Sequence, residues 1–152
     1  MSTTAAVPST PRAMPHASLA SDVRFSVNRL SRRLRNQKAD PTITDAQFSA
    51  LAQLVRNGPM SLADLSEADG ITPPSMTKTV GALIARGFVI KAGHGVDRRK
   101  VLLSPTDPGR AFVLETRRAR DGWLSPRLAR LTPAERRTLA DATEILRRLA
   151  QQ

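Results

Sequence analysis

Ser61–Ser104 reads SLADLSEADGITPPSMTKTVGALIARGFVIKAGHGVDRRKVLLS: two short helical patterns, then two apolar runs around a Gly-rich, basic segment. Local chemistry bounds the second helix. Thr72 is a good N-cap, Pro73 suits the first helical position, and Gly87 stands where a C-cap glycine would. Within it Met76, Val80, Leu83 and Ile84 follow i, i+4, i+7, i+8 spacing and make an inward stripe. Ser75, Lys78, Thr79 and Arg86 fall on the opposite side, which carries hydroxyls and cations but no acid. Upstream, Ser61 starts a helix through Glu67 with Asp64 near the capping-box position, Leu62 and Leu65 inward, and Gly70 as its end.

Two short helices joined at a glycine have the form of a helix-turn-helix. Phe88–Lys91 and Lys100–Leu103 are apolar and β-branched enough to pair, and the intervening AGHGVDRR supplies glycines for the turn and arginines for its tip. A hairpin directly after the second helix is a wing. From Ile71 to Lys100 the cations Lys78, Arg86, Lys91, Arg98, Arg99 and Lys100 face the single acid Asp97, so positive charge follows the motif.

The string Ser75-Met76-Thr77-Lys78-x-Val80-x-x-Leu83-x-x-x-Gly87-Phe88-Val89-Ile90-Lys91 is similar to the recognition helix and first wing strand of winged-helix regulators of the MarR (multiple antibiotic resistance regulator) type. Asp97-Arg98-Arg99 resembles that family's Asp-x-Arg wing tip, and the likeness covers roughly Ser18 to the C-terminus. One departure stands out: where the family has a Leu-Thr pair before the Gly of its fifth helix, this chain has Pro105-Thr106-Asp107-Pro108-Gly109. The resemblance implies a homodimer on a pseudo-palindromic operator in double-stranded DNA. Thr72, Pro74, Ser75, Thr77, Lys78, Thr79 and Arg86 would then lie on the helix in the major groove, and Asp97, Arg98, Arg99 and Lys100 on the wing, with Arg99 entering the minor groove. It also implies a small aromatic or lipophilic effector between the winged helix and the dimerisation helices, with Phe48, Phe112 and Trp123 as candidate lining.

The fold class expected is mainly α with a small β-hairpin wing, the winged helix-turn-helix (about 44–104) being flanked by dimerisation helices (about 19–39 and 106–151). Residues 1–18, built of Ser, Thr, Ala and Pro, cannot bury enough surface to offset their ordering entropy and are expected to be a disordered tail, leaving 19–152 as one domain. From Leu19 to Lys38, Val23, Val27, Leu30 and Leu34 keep helical spacing amid Arg24, Arg29, Arg32, Arg33 and Arg35, and Asp40-Pro41 closes the segment. Thr44 caps a helix with Phe48, Leu51, Ala52 and Val55 inward, closing at Asn57-Gly58-Pro59. Thr106 caps another carrying Phe112, Thr116, Ala119 and Trp123, whose regular run Pro126 limits. Thr132-Pro133-Ala134-Glu135 starts the last, striped by Leu139, Ala142, Leu146 and Leu149. The apolar stripes of the first and last helices are left for a partner subunit.

Composition narrows the chemistry. A chain of 152 residues with 40% hydrophobic but only 3% aromatic content builds an aliphatic core. A net charge of +11 calls for a polyanionic partner, nucleic acid or an acidic membrane surface. With no cysteine there is no disulfide, thiolate site or thiol redox sensor, and with only His16 and His94 there is no expected metal site or cofactor. No long apolar run and no signal-like N-terminus occur, so a cytoplasmic protein without a membrane span is expected. No nucleophile and base stand in a recognisable order, which argues against an enzyme. The expected function is a sequence-specific DNA-binding regulator, a repressor. The competing reading is a winged-helix module that contacts an acidic protein partner without binding an operator.

Overall fold

The computed structural model describes residues 16–93 and 101–151. In chain order its elements are α1 (His16–Arg35), α2 (Asp45–Asn57), α3 (Leu62–Asp69), α4 (Pro73–Ala85), β1 (Val89–Gly93), β2 (Val101–Pro105), α5 (Asp107–Ala129) and α6 (Pro133–Leu149). The fold is mainly α with one antiparallel hairpin, as the sequence pattern predicts. Two compact units divide at Arg33/Leu34. α1 begins at His16, three residues ahead of the expected Leu19 boundary.

Side-chain caps account for most helix starts. Thr44 and Gln47 close a reciprocal capping box, as do Thr132 and Glu135, while Ser61 and Thr106 accept from the backbone N–H groups of Asp64 and Gly109. Thr72 differs from expectation. Its hydroxyl donates to Ser75 Oγ at 3.1 Å and caps no backbone N–H, so the start of α4 rests on Pro73, whose fixed φ suits the first turn.

α2, α3 and α4 pack around Leu51, Leu54, Leu65, Met76 and Leu83, all without solvent exposure, and Val89 and Leu103 of the hairpin and Phe112 and Val113 of α5 complete this core. Each such side chain contributes about 1.5–3 kcal/mol of burial free energy, which fixes the rotation of α4 about its axis.

The hairpin sits one to two residues later than expected, with Val89 opposite Pro105, Lys91 opposite Leu103 and Gly93 opposite Val101. Burial explains the shift: this register turns Val89 and Leu103 into the core. Met60 adds a one-residue bridge to Leu103, with N···O distances of 3.1 and 2.8 Å, tying the wing to the approach to α3.

The Pro105–Gly109 departure produces a clean junction. Pro105 ends β2, Thr106 N donates to Phe88 O at 3.0 Å, and Thr106 Oγ1 donates to Gly87 O at 2.6 Å. A Cβ on Gly109 would collide with the Phe88 carbonyl oxygen, so the close approach of α5 to the base of β1 requires glycine.

α5 runs through Pro126 and ends three residues later, at Ala129. Proline removes only one N–H from an exposed turn, and there the Arg127 guanidinium donates to Trp123 O and lies 3.8 Å from the Trp123 ring centroid. α6 has no buried residue; Leu139, Ile145, Leu146 and Leu149 are exposed, as are Leu19, Phe25, Val27 and Leu30 of α1. Among the described residues no helix is long and apolar enough to cross a membrane.

Candidate nucleic-acid interface

Because Met76, Val80 and Leu83 are locked in the core, helical geometry sends Ser75, Thr77 and Lys78 outward, and all three are exposed; Thr79 is half-buried. Thr72 and Pro74 are exposed at the helix start. Pro73 and Pro74 carry no N–H, so Ser75 presents the first backbone donor of this helix end, beside its own hydroxyl. Thr77 donates its hydroxyl to Pro73 O at 2.9 Å, leaving it acceptor capacity only. Lys78 makes no ion pair among the described residues, and its ammonium is available to a phosphate.

Arg86 belongs to a different constellation. It caps the C-terminal end of α4, about 16 Å along the axis from Ser75 at 1.5 Å per residue. Its guanidinium meets Asp40 Oδ2 at 2.9 Å and donates to Thr42 Oγ1 at 2.6 Å. Asp40 also accepts from the hydroxyl and N–H of Thr42, at 2.6 and 2.8 Å. These Thr42 bonds, with the Arg86 charge, hold the Asp40 carboxyl below its ordinary value. Arg86 thus clamps the end of α4 to the loop between α1 and α2.

The wing residues Asp97, Arg98, Arg99 and Lys100 lie outside the described residues, beyond the strand ends at Gly93 and Val101. Lys91 on β1 is exposed.

The three aromatic residues expected to line an effector pocket do not converge. Phe48 and Phe112 are buried and meet edge-to-face at 6.4 Å, and Phe112 stacks on Phe88 at 5.1 Å, making them chiefly core. Trp123 lies some three turns further along α5 with Arg127 against it. A crevice of about 490 Å³ does open beside Phe48, lined by Arg35, Asp45, Ser49, Ala52, Gln53, Arg56, Arg117 and Arg120. The sequence reading missed it, although Ser49, Ala52, Gln53 and Arg56 keep i, i+3, i+4, i+7 spacing and Arg117 and Arg120 are one turn apart. That polar stripe was the available signal. Among the described residues no three His, Asp or Glu side chains cluster as a metal site.

Comparison with known proteins points to one family. The MarR family model matches residues 43–101, the span from the end of the α1–α2 loop into β2. An HTH-type transcriptional regulator of Mycobacterium tuberculosis is 40% identical over 130 residues, covering 86% of this chain and 91% of the relative. The HTH-type transcriptional repressor NicR of Pseudomonas putida is 31% identical over 112 residues, covering 68% and 71%. Among solved structures, BpsR of Bordetella bronchiseptica, studied for regulation of its DNA binding by 6-hydroxynicotinic acid, superposes with a TM-score of 0.67 at 27% identity, covering 92% of this chain and 99% of that one.

Proposed function

The chain belongs to the MarR family of transcriptional regulators, and on that footing we propose that it is a homodimeric repressor that binds a pseudo-palindromic operator in double-stranded DNA. One observation carries the reading: α4 is held in the core by Met76, Val80 and Leu83 while Ser75, Thr77 and Lys78 stand outward together. In this reading Lys78 neutralises a phosphate, Ser75 and Thr77 reach base edges or phosphate oxygens, and the helix start around Thr72 and Pro74 faces the groove. Arg98, Arg99 and Lys100 extend the contact through the wing. Arg86 contributes by positioning α4.

Residues 19–152 act as one MarR-like domain, and the exposed stripes of α1 and α6 are covered by the partner subunit in a cytoplasmic dimer. The family relationship and the BpsR example support relief of DNA binding by a small molecule.

Fluorescence anisotropy over a salt series tests the reading, with light scattering to report assembly. We expect a dimer whose logarithmic affinity for duplex DNA falls linearly with logarithmic salt, above a sequence-specific fraction. Salt-dependent binding of an acidic protein with no affinity for duplex DNA would replace this reading by the protein-interaction one.

A further inference from the structure

The regulator reading leaves the effector's chemistry open, and the crevice beside Phe48 addresses it. Its wall combines Arg56 of α2 with Arg117 and Arg120 of α5 and includes Arg35. The only acid on the wall, Asp45, is already engaged by Lys38 at 2.5 Å and Arg35 at 3.6 Å. Among the described residues no carboxylate pairs with Arg56, Arg117 or Arg120. Four guanidinium groups against one carboxylate leave the lining three charges positive, and like charges gathered around one crevice repel.

Arg120 is the most constrained of them. Its guanidinium lies 4.2 Å from the Phe48 ring centroid, and its Nε is buried without a hydrogen-bond partner. Burial lowers its affinity for its proton, although Asp45 acts in the opposite sense. A cation held over an aromatic face with an unmet donor is placed to gain from an anion. Guanidinium forks arriving from two helices suit a tetrahedral phosphoryl group, which offers oxygens in several directions; a planar carboxylate takes one fork well.

We propose that this crevice binds a small, multiply charged phosphoryl compound through Arg56, Arg117 and Arg120, with the Arg120 plane, backed by Phe48, as the flat wall for the rest of the molecule. As an effector assignment it rests on the regulator reading; as a binding site it does not.

Titration calorimetry on the full chain without DNA is the test, with inorganic pyrophosphate as probe and benzoate at equal ionic strength as comparator. One site per chain is expected, with pyrophosphate at least about tenfold tighter than benzoate. Arg117→Ala and Arg56→Ala should each weaken pyrophosphate by about tenfold, the usual scale for one charge-assisted contact, with Arg117→Lys in between. Arg137→Ala, on the side of α6 away from its apolar stripe, should leave it unchanged. Equal weakening by Arg137→Ala would reduce the binding to net charge and overturn the site, and so would benzoate binding as tightly as pyrophosphate. If Arg56→Ala and Arg117→Ala instead weaken random duplex DNA in the absence of pyrophosphate, the phosphates met here are those of DNA and the small-molecule site is refuted. Loss of operator binding by the wild type would end the regulator reading and leave the calorimetric result standing.

Discussion

Replacing Gly109 with alanine and, separately, Gly81 with alanine should move stability in opposite directions. Both glycines are helical, so intrinsic propensity favours alanine at each by about 0.5–1 kcal/mol. Their surroundings differ. Around Gly81 an added Cβ finds nothing within 4 Å, so the propensity gain should appear nearly whole. At Gly109 the same atom runs into the Phe88 carbonyl oxygen and stands 3.2 Å from Leu51 Cδ1. That carbonyl accepts from Thr106 N at 3.0 Å, so moving it disturbs the bond that closes the wing onto α5. Overpacking of this kind costs about 1–3 kcal/mol, enough to outweigh propensity. At about 2–4 °C per kcal/mol for a chain of this size, Gly81→Ala should raise the melting temperature by about 1–4 °C and Gly109→Ala should lower it by several degrees. Differential scanning calorimetry reads both. A Gly109→Ala protein as stable as Gly81→Ala would refute the close approach of α5 to β1 on which the placement of the wing depends.

Arg86→Ala and Asp40→Ala should weaken operator binding alike with no change in salt slope, because each removes the same clamp; a slope reduced by about one phosphate in Arg86→Ala alone would mark Arg86 as a direct DNA contact. Since the Asp40 carboxyl is depressed below its ordinary 3.8, the clamp's stabilisation is complete above that value and fades as pH falls through the lower folded one, so acid unfolding of Asp40→Asn should lose that component of its pH dependence. Lys78→Ala should weaken binding to operator and random duplex together with a shallower salt slope, whereas Ser75→Ala should act mainly on the operator; equal losses on both duplexes would argue against base readout by Ser75. For the wing, Arg99→Ala should cost about 1–3 kcal/mol on the operator and lower the preference for A·T-rich flanks, measured by anisotropy with A·T- and G·C-rich duplexes, while Arg98→Ala should cost less and act evenly.

Helix starts were readable because Thr44, Ser61, Thr106 and Thr132 act within their own first turns. The inward stripe of α4 was readable because helical periodicity is also local: Met76, Val80 and Leu83 are buried. Features made by residues far apart in sequence were not. Arg86 meets Asp40 across 46 positions, so spacing alone assigned it to the outer face of its helix. Trp123 shared a stripe with Phe112 on paper, yet the core ends before reaching it, since of the α5 residues only Gly109, Phe112, Val113 and Thr116 are buried. The arginine crevice needed α2 and α5 side by side to exist at all. Strand ends slipped for a related reason: composition marked an apolar run, while the choice of Val89 and Leu103 as inward residues was made by the core.

The most direct test of paired α4 helices on DNA is selection of bound duplexes from a random-sequence pool by the purified protein, followed by sequencing. An enriched inverted repeat is expected whose half-sites are centred about 10 base pairs apart, one turn of the double helix, because a two-fold dimer places its two recognition helices in successive major grooves. A pool that binds in a salt-dependent way yet yields no enriched repeat, or only a single unpaired site, would contradict it.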